Sequence, residues 1–175
     1  MLTRPVAGIA LLLASTLWLA AIFAAPYAAR RATTGSPLAF AAGIVYFTGS
    51  VICHQRPERS FHLDGVQLPV CARCTGIYLA APFGALFGWI VRRSWRQDRW
   101  RRWLVGAALP TAITVAIEWA GGTMIPGPIR FAAGLPIGFV VMWYMGQVLS
   151  GPESGVRRPM SRPAVQGPVS DGVLG

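Results

Sequence analysis

Charge is scarce in this chain. Of 175 residues, 13% are charged and 54% hydrophobic, where an ordinary soluble domain carries about a quarter charged residues. Lysine is absent, so all sixteen basic residues are arginine, set against six acidic ones. The chain has two histidines and three cysteines. These shortages exclude a domain with the polar surface that water requires. Also missing are a glycine-rich nucleotide cradle, a Ser/His/Asp set and the paired carboxylates of a hydrolase. A net charge of +10 without a reading module does not make a nucleic-acid binder, so no nucleic-acid partner is expected.

Long apolar runs fill the chain instead, and mean hydropathy is +0.49. Five runs, at about 6–29, 34–53, 75–91, 103–126 and 129–149, approach the roughly 18–20 residues of a membrane-spanning helix. The second and third are short if counted strictly, and Pro126-Gly127-Pro128 forces a tight turn between the last two. The expected fold is an all-α membrane protein, a bundle of about five transmembrane helices in one domain over residues 1–149. Its partner is the lipid bilayer; a homo-oligomer or a membrane partner stays open. Residues 150–175, rich in Pro and Gly without an apolar period, read as a disordered cytoplasmic tail. The first run is longer than the roughly 7–15 residues of a signal-peptide core, so it reads as a retained helix. Gly76, Ala80, Gly84 and Gly88, then Ala108, Ala112, Ala116 and Ala120, and finally Gly134 and Gly138 form small faces for close helix approach.

The arginines sort by side. With five spans, Arg30, Arg31, the six between Arg92 and Arg102, and Arg157, Arg158 and Arg162 fall on one side, eleven in all. Arg4, Arg56, Arg59, Arg73 and Arg130 make five on the other. The positive-inside rule then places the Arg92–Arg102 loop and the C-terminus in the cytoplasm of a bacterial cell. The N-terminus and the loop between helices 2 and 3 face outward across the plasma membrane.

That outward loop holds every cysteine and histidine of the chain within 22 residues: Cys53, His54, His62, Cys71 and Cys74. A C-x-x-C turn plus a distant cysteine and histidine suits tetrahedral zinc. Cys53, His62, Cys71 and Cys74 form the expected set, with His54 as the alternative ligand because adjacent Cys53 and His54 coordinate one ion awkwardly. The same residues permit a redox reading. Cys74 sits near a helix N-terminus beside Arg73, where a thiolate is favoured, and Cys71, Cys74 and Cys53 would exchange electrons with a quinone or a partner thiol. A structural disulfide or a plain scaffold bundle is the bland alternative.

Glu118 is the one acidic residue inside an apolar span, in its outer half. Intramembrane carboxylates are costly and usually have a partner. Pro110, Thr114 and Glu118 share a helix face, and Arg130 at the start of the fifth helix is the expected ion-pair partner. Tyr78, Arg56 and Arg59 frame an anion or quinone pocket, or else anchor the interface.

Cys53-His54-Gln55-Arg56-Pro57-Glu58-Arg59-Ser60-Phe61, then Gly65, then Gln67-Leu68-Pro69-Val70-Cys71-Ala72-Arg73-Cys74-Thr75-Gly76-Ile77-Tyr78 resembles the signature of a prokaryotic membrane-protein family, domain of unknown function 2085. Arg130-Phe131-Ala132-Ala133-Gly134 is similar to the Arg-x-x-x-Gly element opening that family's last helix. Many members carry an Asp and a Gln one turn apart in the fourth helix, where this chain has Thr114 and Glu118. The resemblance covers about residues 45–148. It implies a multi-pass membrane protein built around the Cys/His loop and names no substrate.

Overall fold

The computed structural model describes residues 3–91 and 97–150. Arg92, Arg93, Trp95, Arg96 and the tail expected beyond Ser150 lie outside the described residues. Among the described residues the chain forms five α-helices and one hairpin: α1 Thr3–Arg31, α2 Pro37–Ile52, β1 Ser60–Leu63, β2 Val66–Cys71, α3 Ala72–Ile90, α4 Gln97–Gly121 and α5 Gly127–Ser150. The protein is an all-α membrane protein apart from that hairpin.

Three stretches are long and apolar enough to cross a bilayer, Val6–Arg31, Arg99–Gly121 and Gly127–Leu149. At 16 residues α2 is shorter, about 24 Å of helix. α3 is the most enclosed helix, with Thr75, Gly76, Ala80, Ala81, Gly84, Ala85 and Gly88 all buried. A helix covered by protein needs little apolar bulk of its own.

Glycine makes that enclosure possible. A Cβ on Gly76, Gly84 or Gly88 would run into the main-chain carbonyls of Phe131, Phe139 and Trp143; one on Gly134 or Gly138 would meet those of Arg73 and Ile77. Contacts that rise together in both sequences mean that α3 and α5 run parallel, backbone against backbone. α4 runs antiparallel beside α5: Trp100 stacks on Tyr144 at 4.0 Å, the Thr111 hydroxyl donates to the Ala133 carbonyl at 2.7 Å, and Glu118 meets Arg130.

The expected alanine face of α4 does not pack inward. Ala112, Ala116 and Ala120 are exposed, and the buried face carries Ala107, Thr111, Thr114 and Glu118. Polar side chains in an apolar surround must find partners, and those on this face point at α5 and α3, so they orient the helix. α4 also starts earlier than its apolar run, so Arg99, Arg101 and Arg102 stand on its first turns rather than in a loop. It ends at Gly121, and residues 122–126 form an irregular link in place of the expected tight turn.

The Cys/His loop is ordered. Pro57–Arg59 form a short 3₁₀ turn, and β1 pairs antiparallel with β2. Asp64 and Gly65 make the turn at φ 49° and 82°, a left-handed pair that suits Asp-Gly in a two-residue hairpin. Gln55, itself at φ 45°, donates to the Tyr46 and Pro69 carbonyls at 2.7 Å each, and Gln67 donates back to the Gln55 carbonyl at 2.6 Å. The Tyr46 hydroxyl donates to the Gln67 carbonyl at 2.6 Å, and Gly49 lies against Pro69.

These contacts fix directions. Tyr46 and then Gly49 of α2 meet Gln67 and then Pro69, so α2 runs the same way as β2 and α3. α1 runs against them: Trp18 meets Tyr78, Ile22 packs with Val70 and Leu68, and Arg30 pairs with Asp64 at 2.8 Å. That ion pair corrects the charge count, which put Arg30 and the hairpin on opposite sides of the membrane. The end of α1 and the hairpin turn belong to one end of the molecule.

Candidate metal centre

The three cysteines converge from three elements. Cys53 caps the C-terminus of α2, Cys71 ends β2 and is the N-cap of α3, and Cys74 lies in the first turn of α3. All three are free thiols, with Sγ atoms within 4.8 Å of one another. Cys53 is buried in a small apolar core with Ile22, Leu68 and Val70, against which Trp18, Phe61 and Tyr78 pack. Tetrahedral Zn–S bonds of about 2.3 Å set sulfurs about 3.8 Å apart, so a small inward movement brings the group onto a metal.

Without metal the cluster favours one thiolate, at Cys53. Side-chain hydrogen bonds from Cys71 and then Cys74 pull the Cys53 thiol well below its ordinary range, against burial, which pushes it up. The Cys71 amide also donates to Cys53 Sγ at 3.2 Å.

The structure brings together only part of the expected ligand set. His62 is exposed on β1, paired with Gln67. Gln67 lies four residues up β2 from Cys71, about 13 Å at strand rise, so the hairpin register carries His62 away from the sulfurs. His54 follows Cys53 and lines the adjoining cavity without joining the sulfur group.

That cavity, about 530 Å³, is lined by Cys53, Cys71 and Cys74 together with His54, Arg56, Arg59, Arg73, Arg130 and Trp119. Tyr78 packs below against Trp18 and takes no part in the lining. Glu118 stands behind the wall, its side chain 5% exposed, bound to Arg130 Nε, whose side chain is 3% exposed. Arg73 donates to the Thr114 hydroxyl at 3.1 Å and approaches Glu118 at 3.8 Å. Thr114 and Glu118 thus work as a pair, as buried partners of arginines on two other helices.

Gln55, Gln67 and Trp119 were not singled out by sequence reasoning. The glutamines lie in the Cys/His segment itself, and the Asp64-Gly65 dipeptide is the local signal for the hairpin that they lock.

A helical membrane protein with a three-cysteine group opening onto an arginine-lined cavity is the class defined by this fold and site. Residues 53–144, just over half of the chain, match the model of a family described as a predicted membrane protein, domain of unknown function 2085, and the chain belongs to that family. The matched stretch begins at Cys53 and takes in the whole site, leaving α1 and α2 outside. An uncharacterized protein of Methanocaldococcus jannaschii is 33% identical over 125 residues, 71% of this chain and 80% of that protein. Another, from Methanothermobacter thermautotrophicus, is 36% identical over 87 residues, 50% of this chain and 78% of its own length. No solved structure matches.

Proposed function

We propose that this protein is a membrane metalloprotein that holds a soft transition metal, zinc first, on Cys53, Cys71 and Cys74. The observation that carries this reading is the approach of three sulfurs from three separate elements to within 4.8 Å. Thiolate ligands select zinc and Cu(I) over hard cations. Three protein ligands leave a fourth position, the pattern of a site that exchanges ligands rather than a closed structural clip. That position faces the cavity, which His54 also lines.

Elemental analysis of protein purified without reductant or chelator, with a thiol count on the same sample, tests the reading. About one equivalent of zinc or copper, with the thiols protected until chelator is added, supports it. A second reading, thiol–disulfide exchange with a quinone or partner thiol, is favoured by the low Cys53 thiol. It predicts no metal and a single free thiol in the oxidised protein, and that result overturns the metal site.

We further propose that the site faces outward. Because α1 runs against α3 and its end meets the hairpin, Arg30 and Arg31 join Arg56, Arg59, Arg73 and Arg130, six on the site's side. Arg4, the six from Arg92 to Arg102, and Arg157, Arg158 and Arg162 make ten on the other, the cytoplasmic side by the positive-inside rule. In this arrangement α1, α3, α4 and α5 cross, and α2 folds back beside the hairpin. Both termini are then cytoplasmic, and a reporter at the N-terminus distinguishes this from five crossings, which put it outside.

A further inference from the structure

We infer that the arginine-lined cavity beside the three cysteines is a binding site for a phosphate-bearing anion. Four arginines line it, Arg56, Arg59, Arg73 and Arg130, and among the described residues no carboxylate does. The carboxylate behind the wall, Glu118, offsets one of them. Zinc on three thiolates carries one net negative charge, so two positive charges remain. The arginines keep their charge with or without a metal, so the inference stands whether or not the metal reading does.

Two such charges in a partly enclosed space are expensive without a counter-charge. A phosphate dianion, or two phosphodiester headgroups, would balance them. Donors are also left over. The Nε of Arg59 and of Arg73 are buried without a partner among the described residues, although guanidinium N–H groups are strong donors that pair readily with phosphate oxygens.

The helices add to this field. α3 and α5 run parallel, so both present their N-termini to this end of the molecule, with Arg73 and Arg130 in their first turns. Neither first turn carries an acidic residue, and the α3 N-cap makes no side-chain capping hydrogen bond. Helix N-termini attract anions. Here two of them reinforce a cavity already positive by its side chains. Trp119, 88% exposed, stands at the same wall and gives an apolar rim that suits a site at the bilayer surface.

Two sources supply this chemistry, inorganic phosphate from the aqueous side and the headgroup of an anionic phospholipid. The full chain in zwitterionic nanodiscs is titrated with inorganic phosphate, and separately with short-chain phosphatidylglycerol, by calorimetry. Sodium chloride at equal ionic strength is the control. Saturable binding of phosphate assigns the free anion, and saturable binding of phosphatidylglycerol alone assigns the lipid; either supports the site. The paired substitution Arg56→Gln and Arg59→Gln, at the exposed and half-buried wall, should weaken that binding at least tenfold without moving the thermal midpoint. Binding of neither ligand by folded protein overturns the inference, as does undiminished binding by the double variant. Repeating the titration on the Cys71→Ser protein separates the readings: binding that survives loss of the metal leaves the anion site standing alone.

Discussion

The α3–α5 contact and the cysteine-bearing end of the molecule are held together in opposite ways. Between α3 and α5 the packing is backbone on backbone, and five glycines leave no room for a Cβ. At the cysteine-bearing end few groups approach that closely, and the structure rests on polar pairs: Gln55 with Gln67, Glu118 with Arg130 and Arg73, Arg30 with Asp64. In lipid, apolar side chains gain little by leaving one apolar medium for another, so stability comes from close dispersion contact and from satisfied polar groups. The first region uses one means and the second uses the other. A rigid helix seam leaves the cysteine-bearing end free to carry strained turns, buried charge and a cavity.

The seam is where the largest effect is expected. Gly84→Leu drives a side chain into the Phe139 carbonyl and should cost more than about 3 kcal/mol, read as loss of monodisperse, helical protein. Gly106→Ala, with open space around it, should change stability by less than about 0.5 kcal/mol. Equal effects would mean that the seam is not where the bundle is held.

Next is Glu118→Ala, which strands Arg130 in a buried place and should cost about 3–5 kcal/mol in thermal melts. Replacing both, Glu118→Leu with Arg130→Met, should recover most of that loss, because the penalty lies in the unpaired charge. Failure of the double variant to recover would make the pair a positioning device for something else.

Cys71→Ser should abolish stoichiometric metal while leaving the α3–α5 seam folded, by elemental analysis beside circular dichroism. His62→Ala should leave metal content unchanged, since the hairpin register holds it away from the sulfurs. The smallest effect belongs to Asp64→Asn. Its ion pair with Arg30 is 61% and 48% exposed on its two sides, and such pairs contribute about 0–1 kcal/mol. A larger loss would show that this contact, and not α1 packing, docks the hairpin.

Much of the site was legible before any coordinates. The crowding of cysteine and histidine into 22 residues marked the place, and the lone intramembrane carboxylate marked its arginine partner. The choice of fourth ligand was not legible. A one-dimensional spacing treats His62 as near, whereas pairing across a two-residue turn moves it about 13 Å along the strand. The Ala108–Ala120 stripe misled for a related reason: small residues permit close approach but do not demand it, while Thr111, Thr114 and Glu118 on the other face do demand partners.

By itself the sequence determined the solvent, the helical class, the family and the cluster of ligands, because each depends on residue type and local spacing. Only the tertiary structure decided that α2 runs with α3 and that Arg30 meets the hairpin. It alone set three sulfurs, without a histidine, on the wall of a cavity that four arginines also line. Those outcomes depend on which distant polar groups satisfy each other where water is scarce, and no local pattern encodes that choice.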